Sequence, residues 1–174
     1  MTKKSYAVIR TDNILSYQVG QVHHVRLQEE ETQNGVPILA GDIEPDNLDV
    51  REGVKPELAS TGIAVIADPV LIKDARTREE EMEYNYVMEK GHVARAYQLT
   101  ERDVFSVSKE AFEGEPEAGK FVVVGEDYKW EVTDTEPDEG FYAAIVKVEP
   151  VGGRYSIVSG IEPQEYVIMD VKRN

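Results

Sequence analysis

The feature that most constrains the fold of this chain is a series of short apolar runs in its last third. Valine, isoleucine and aromatic residues dominate the runs, and glycine, proline and acidic residues separate them. Short strands spaced this evenly, with turn residues between them, are typical of a meander, a sandwich or a barrel. Trp130 is expected to anchor the core that these strands form. The predicted strands are 121–124, 129–132, 141–148, 155–158 and 166–171.

The middle of the chain contains the most strand-like segment. Residues 62–68 form a β-branched apolar run that ends at Asp68-Pro69. In residues 93–99 apolar and polar side chains alternate, which places Val93, Tyr97 and Leu99 on one face of a strand. Residues 104–107 are predicted to return as another strand.

Two short helical segments are predicted beside these strands. Thr77 and Glu80 have the spacing of a capping box, in which both side chains satisfy free N–H groups at a helix start. Ser108 is placed to cap a single helical turn. The predicted fold class is therefore all-β, barrel- or sandwich-like, with one or two short helices.

The N-terminal third combines strands with an extended loop. Strands are predicted at 6–9 and 23–27, and Asn34-Gly35 favours a tight turn because both residues tolerate positive φ. Residues 44–57 are predicted to form an extended, turn-rich loop, because proline lacks an N–H donor and biases the residue before it away from helix. The predicted domains are 1–113, a β-rich domain with an extended arm and loop, and 120–174, a β meander that either stands alone or joins the first domain.

Charge and composition restrict the partners of the chain. Its 174 residues include 19 Lys and Arg against 34 Asp and Glu, a formal net charge of −15. Such a field repels phosphate backbones and anionic lipids, so neither nucleic acid nor membrane is a predicted partner. Cysteine is absent, which excludes disulfides and thiol nucleophiles and is consistent with synthesis in a reducing cytoplasm. Arg10 and Asp12 interrupt the apolar stretch that a signal peptide would need.

The sequence offers little material for catalysis. His23 and His24 are adjacent and would point to opposite faces of a strand, and His92 is likewise expected to be structural. Carboxylate runs such as 29–31 and 79–81 are expected to form solvated acidic faces. Loose Ca²⁺ or Mg²⁺ binding at 134–139 stays open, although the EF-hand pattern is missing. No catalytic residue, metal site or cofactor is predicted, and the protein is expected not to be an enzyme.

Two strand motifs carry a resemblance to a known family. The chain reads Ala94-Arg95-Ala96-Tyr97-Gln98-Leu99 and then Asp103-Val104-Phe105-Ser106-Val107-Ser108, after the strand that ends at Asp68-Pro69 and the acidic segment 77–83. This order resembles the capsid decoration (accessory head) proteins of tailed bacteriophages, and about a third of the chain carries the likeness. The resemblance implies a structural virion protein, made in the host cytoplasm, that lies on the capsid surface and stabilises the head.

The resemblance also implies how such a protein binds. Its partner would be the major capsid protein, and self-association on the capsid lattice would multiply weak contacts. The N-terminal segment up to about Gly20 and the loop 44–57 are candidate binding arms, unless both wrap their own domain. The candidate partner-binding residues are Pro45, Leu48, Val50, Pro56 and Arg95.

Alternatives remain open at this point. Arg95 either pairs locally with Glu101 or Asp103, or reaches an acidic patch on the capsid. The protein could instead be another virion component, from the tail or the head–tail connector. A small cytoplasmic β-barrel hydrolase that uses carboxylates is the alternative from a different class, and a buried carboxylate pair would support it.

Overall fold

The structure of the protein is a computed structural model that describes residues 6–15, 21–29, 31–72, 75–76, 80–151 and 164–174. Within these residues the strands form a seven-stranded sheet, a closed five-stranded barrel and a two-stranded sheet. The prediction of an all-β, barrel-like fold is therefore confirmed. The strands are β1 (Ile9–Asn13), β2 (Val22–Arg26), β3 (Glu31–Thr32), β4 (Pro37–Glu44), β5 (Asn47–Val54), β6 (Ala64–Ile66), β7 (Met88–Glu89), β8 (Val93–Gln98), β9 (Val104–Ser108), β10 (Phe112–Glu113), β11 (Phe121–Val124), β12 (Trp130–Thr133), β13 (Tyr142–Val151) and β14 (Gln164–Arg173).

The helical elements that lie wholly within the described residues are two 3-10 turns, Glu83–Asn85 and Lys109–Ala111. The second turn follows Ser108 as predicted, but the Ser108 hydroxyl does not cap it. That hydroxyl instead accepts a hydrogen bond from the Val8 N–H at 2.9 Å, which ties β9 to the chain before β1. The predicted helix start at Thr77 and the predicted strand 155–158 lie outside the described residues. No helix of the described residues has both the length and the apolar character needed to cross a membrane.

The barrel has the strand order β2-β5-β4-β6-β8 and closes between β8 and β2. Its strands pair antiparallel except β2 and β5, which run parallel with His24 opposite Val50. Gly53 makes this packing possible, because a Cβ atom there would lie 2.8 Å from the Arg26 carbonyl oxygen and 2.9 Å from the Ile38 side chain. The barrel interior is filled by a core cluster that includes Val25, Ile38 and Ile66.

The seven-stranded sheet has the order β1-β9-β14-β13-β11-β12-β10. Its longest ladder pairs β13 with β14, and β9 continues the sheet on the other side of β14. Strands β1, β9 and β10 come from the predicted first domain, yet they hydrogen-bond to each other or to strands from residues 120–174. The division into domains stays a prediction, and the sheet draws strands from both sides of the proposed boundary.

Strand β6 joins the barrel to the sheet. Ala64 and Ile66 point into the barrel cluster, whereas Ile63 and Val65 belong to the core cluster of the sheet. Both faces of this short strand are therefore buried, which explains why its sequence is continuously apolar and does not alternate. The prediction of a strand at this segment is confirmed.

Trp130, the first residue of β12 in the sheet, also lies at this junction. Its side chain is fully buried, and its ring packs against Phe105 and Phe141 at centroid distances of 5.9 and 5.3 Å. The indole N–H donates to the carbonyl of Gly35 at 2.6 Å. Gly35 follows Asn34 in the predicted turn, has a φ of +79°, and has no room for a Cβ, which would lie 2.4 Å from Val107. A glycine is therefore required at the point where the barrel meets the sheet.

Candidate functional site

The β4–β5 hairpin replaces the loop that was predicted at 44–57. The prediction was wrong because the two prolines flank a strand and do not interrupt one: Pro45 lies in the hairpin turn, and Pro56 follows the end of β5 at Val54. Proline is tolerated at both kinds of position, since neither needs a ladder N–H group. Residues 47–54 consequently form a full strand of the barrel.

The end of this hairpin exposes apolar side chains. Leu48 is 78% exposed, the highest value for a large apolar side chain among the described residues, and Ile43 is 46% exposed. The β4–β5 register shifts on both sides of Ile43, between Ala40 and Glu44. Such irregularities bend a strand and change the direction of its side chains. We call Ile43, Pro45 and Leu48 the hairpin surface.

An ion pair holds the hairpin in place. The Arg26 guanidinium of β2 donates to both carboxylate oxygens of Glu44, at 2.5 and 2.9 Å. Arg26 also donates to the carbonyl of Gly91, in the turn before β8. Hydrogen bonding to Arg26 lowers the pKa of Glu44. Because this two-point contact lies at the residue before the turn, it fixes the direction in which the hairpin surface faces.

A small pocket, which we call the mouth pocket, opens beside the hairpin surface and is lined by residues of β2, β4 and β5. It has a volume of about 330 Å³. Its apolar wall comes from Val22 and from Ile43 and Leu48 of the hairpin surface. The residues that line this mouth pocket are Val22, His23, His24, Ile43, Leu48, Asp49 and Arg51.

The polar groups of the mouth pocket are mostly basic. Arg51 is partly buried, and its Nη1 donates to the carbonyl of Gly41 at 3.0 Å. Burial and the nearby Arg51 charge lower the pKa of His23. Thus His23 favours its neutral form, and the pocket places the Arg51 guanidinium next to an apolar wall.

The five predicted partner-binding residues occupy different places. Pro45 and Leu48 are exposed and lie together on the hairpin, while Val50 is only 4% exposed and Pro56 is buried. Neither Val50 nor Pro56 therefore presents its side chain on the surface. Arg95 is exposed on β8, opposite His24 in the β2–β8 ladder. No result tests the prediction that these residues bind a partner, so it stays a prediction.

The local ion pair expected for Arg95 is not formed with the described residues. The carboxylate of Asp103 is buried and accepts hydrogen bonds from the N–H groups of Leu15 and Thr100, each at 2.7 Å. It also accepts one from the Thr100 hydroxyl at 3.0 Å. Asp103 therefore organises the turn before β9 and the end of β1, and it is not a partner for the guanidinium of Arg95.

Asp68 forms a polar cluster that sequence reasoning missed. One of its carboxylate oxygens accepts from the Tyr86 hydroxyl at 3.0 Å and lies 2.9 Å from Nε2 of His92, and the other accepts from the Arg95 N–H at 3.2 Å. The backbone of Asp68 exchanges two hydrogen bonds with the buried side chain of Asn34. The Asp68 carboxylate thus connects the end of β6 to the start of β8 and to the segment before β7.

This cluster lines a groove of about 920 Å³. Burial, followed by the charge and hydrogen bond of Asp68, raises the pKa of Tyr86 to about 12. A tyrosine with that pKa stays protonated and is a poor general base. Among the described residues that line the groove there is no serine, threonine or cysteine to act as a nucleophile beside His92. We therefore interpret Asp68 as a structural residue that holds the neighbouring segments together.

Arg173 holds the backbone of the acidic segment 134–139 and of Gly140 through hydrogen bonds. The Arg173 guanidinium donates to the carbonyls of Pro137, Asp138 and Gly140 at 2.6–3.1 Å. Backbone carbonyls are among the ligands that Ca²⁺ uses, and three carbonyls of residues 137–140 already accept hydrogen bonds from an arginine. Across the described parts of the chain, no three or more acidic and histidine side chains are grouped to hold a metal ion.

Comparisons with protein-family models, with curated proteins and with solved structures find no match to this chain. What the fold itself defines is an all-β protein with a closed five-stranded barrel next to a seven-stranded sheet.

Proposed function

We propose that this protein is a structural component of a tailed-phage virion that decorates the capsid, and that it contacts the major capsid protein through the hairpin surface. In this proposal its function is binding, without a catalytic step. The hairpin surface is the part of the molecule that supports the proposal most strongly.

The observation that carries the proposal is a fixed hairpin that exposes two large apolar side chains beside a pocket. Single exposed apolar residues are ordinary on protein surfaces. Leu48 and Ile43, however, share a hairpin and both line the mouth pocket. Fully burying a leucine contributes about 1.5–3 kcal/mol, so covering Leu48 with a partner gives a useful contact. Because Arg26 holds Glu44, less conformational entropy is lost when the partner binds.

The choice of a capsid as partner comes from the resemblance. The motif around Ala94–Leu99 contributes β8 to the barrel, with Ala94 and Ala96 inside it. These residues pack the barrel core and provide no chemistry, so the proposal of a capsid partner depends on the sequence motif alone. A capsid repeats one binding site many times, so a modest contact per copy gives stable attachment if neighbouring copies also touch.

Co-sedimentation with capsids assembled from the major capsid protein alone tests this proposal. We expect the purified protein to pellet with expanded capsids and to saturate at a fixed ratio to capsid subunits. Leu48→Ser should reduce binding at least 10-fold. The matched control is Leu58→Ser, since Leu58 is 61% exposed but does not line the mouth pocket, and this variant should bind like the unchanged protein.

Absence of saturable binding to intact capsids would overturn the proposal. Equal binding losses in Leu48→Ser and Leu58→Ser would show that the hairpin surface is not the contact with the capsid. If the protein pelleted with purified tails or connectors and not with capsids, another virion component would be the correct assignment.

A further inference from the structure

Two arginines on neighbouring strands of the barrel differ in their partners. Arg26 of β2 is neutralised by Glu44, as described above. Arg51 of β5 donates to the Gly41 carbonyl, but no described carboxylate lies within 4.0 Å of its guanidinium nitrogens. This difference is notable in a chain with a formal net charge of −15, in which carboxylates are abundant.

We propose that the mouth pocket receives an aspartate or glutamate side chain of the protein that covers the hairpin surface, and that Arg51 binds its carboxylate. This inference rests on the proposed function, because the bound protein is the one that contacts Leu48. It adds the chemistry of the contact: an acidic side chain flanked by apolar residues.

The geometry of the pocket supports an acidic side chain with apolar neighbours. Arg51 offers a planar set of N–H donors, and only Nη1 is used in the contact with Gly41. The apolar wall formed by Ile43, Leu48 and Val22 borders this group. When a partner covers that wall, water is excluded and the charge-assisted hydrogen bonds to Arg51 become stronger. Arginine surrounded by apolar contacts is a common arrangement at the centre of protein interfaces.

The charges of the residues that line the pocket also favour an acidic ligand. The pocket contains Arg51, His23 and His24 as basic groups and Asp49 as its acidic group. Arg51 and His23 line the pocket together, and after burial the Arg51 charge is the second cause that lowers the pKa of His23. An entering carboxylate meets an opposite charge that has no ion-pair partner among the described residues.

The size of the pocket limits the ligand. Pockets for small molecules and cofactors span roughly 300–1,000 Å³. At about 330 Å³ the mouth pocket lies at the lower end of this range. It therefore suits one inserted side chain with part of its neighbours and not a large cofactor.

The first test uses two peptides that differ in one functional group. The full-length protein is titrated with acetyl-Leu-Glu-Leu-amide or with acetyl-Leu-Gln-Leu-amide, and NMR follows the Arg51 Nε–H and the His23 imidazole. We expect saturable shifts of both groups with the glutamate peptide and at least 10-fold weaker binding of the glutamine peptide. Equal responses to the two peptides, or no response at Arg51, would overturn the inference without any mutation.

The second test uses variants at Arg51. Arg51→Met keeps most of the aliphatic stem and removes the charge, so it should abolish the difference between the two peptides. Arg51→Lys keeps the charge but loses the planar donor set, so it should retain a smaller difference. Arg102→Met is the matched control, because Arg102 is exposed and does not line the pocket. An unchanged preference for glutamate in Arg51→Met would contradict the inference.

Capsid binding separates this inference from the proposed function. If the glutamate peptide binds at Arg51 but capsids do not bind, the proposed function fails and the pocket chemistry stands. If capsids bind Arg51→Met as tightly as the unchanged protein and the peptides do not differ, the pocket chemistry fails and the proposed function stands.

Discussion

The seven-stranded sheet and the barrel end that carries the hairpin differ in the solvent exposure of their large apolar side chains. In the sheet, Trp130, Phe141 and Phe105 are each at most 2% exposed and pack on one another. On the hairpin, Leu48 is 78% exposed and Ile43 is 46% exposed. The sheet therefore contributes stability, whereas the hairpin end contributes surface that a partner can cover. This contrast predicts that mutations in the two regions will separate stability from binding.

The largest effect on stability is expected at the junction of the barrel and the sheet, where Trp130 lies. Trp130→Ala should destabilise the protein by about 3–5 kcal/mol, because it removes a fully buried ring and leaves a cavity. Urea denaturation followed by far-UV circular dichroism measures this loss. Trp130→Phe retains much of the ring packing and should cost clearly less. A loss below 1 kcal/mol in Trp130→Ala would show that the junction is not the centre of stability.

A smaller loss is expected at the Asp68 cluster. Asp68→Ala leaves the Tyr86 hydroxyl and the Arg95 N–H without their acceptor. An unsatisfied buried polar group costs about 1–3 kcal/mol, and the thermal unfolding midpoint should fall accordingly. Tyr86→Phe removes one of these hydrogen bonds and should cost less than Asp68→Ala. If the order were reversed, the anchor would be Tyr86 and not the carboxylate.

Acidification should weaken the barrel through His23. Its pKa in the folded state lies below the ordinary value of 6.5 because of burial and Arg51. The unfolded state therefore takes up the proton first as the pH falls. The stability that His23 contributes is present above pH 6.5 and is lost as the pH falls through the folded-state pKa. His23→Gln should reduce the fall in unfolding midpoint between pH 7.5 and 5, and an unchanged fall would contradict this assignment.

The smallest effect on stability is expected at the hairpin surface. Leu48 is 78% exposed, so Leu48→Ser should change the free energy of unfolding by no more than about 0.5 kcal/mol. Urea denaturation in parallel with Trp130→Ala measures the contrast directly. A loss above 1 kcal/mol would mean that Leu48 packs within the protein, and the distinction between the two regions would weaken.

Local sequence patterns were sufficient for the fold class and for several strands. The continuous apolar run around Ile63 and Val65 and the alternation in residues 93–99 each predicted a strand that the structure contains. These signals depend on near neighbours along the chain, so a single sequence is enough to find them. The hairpin at 44–57 was missed because proline was taken to exclude a strand, although Pro45 and Pro56 lie just outside β5.

The candidate site was only partly accessible to sequence reasoning. Pro45 and Leu48 were selected from an expected loop, and the structure places them on an exposed hairpin. The mouth pocket was not foreseen, because Arg51 and His23 come from β5 and β2, which are distant in sequence and become neighbours only when they pair in parallel in the closed barrel. The Asp68 cluster joins residues separated by 18 to 34 positions. No local pattern marks such contacts, which form only when β6 pairs with β8 and the segments around Asn34 and Tyr86 pack beside them.

The position of Trp130 also has a spectroscopic consequence. It is the single tryptophan of the chain, and its indole is buried at the junction where it bonds to Gly35. Its fluorescence emission therefore reports on one place in the molecule, the contact between barrel and sheet. Separation of the two would expose the indole to water and shift the emission to longer wavelength. A partner that binds only at the hairpin surface would leave the emission unchanged. The fluorescence of Trp130 therefore distinguishes binding of a partner at the hairpin from a change in the contact between barrel and sheet.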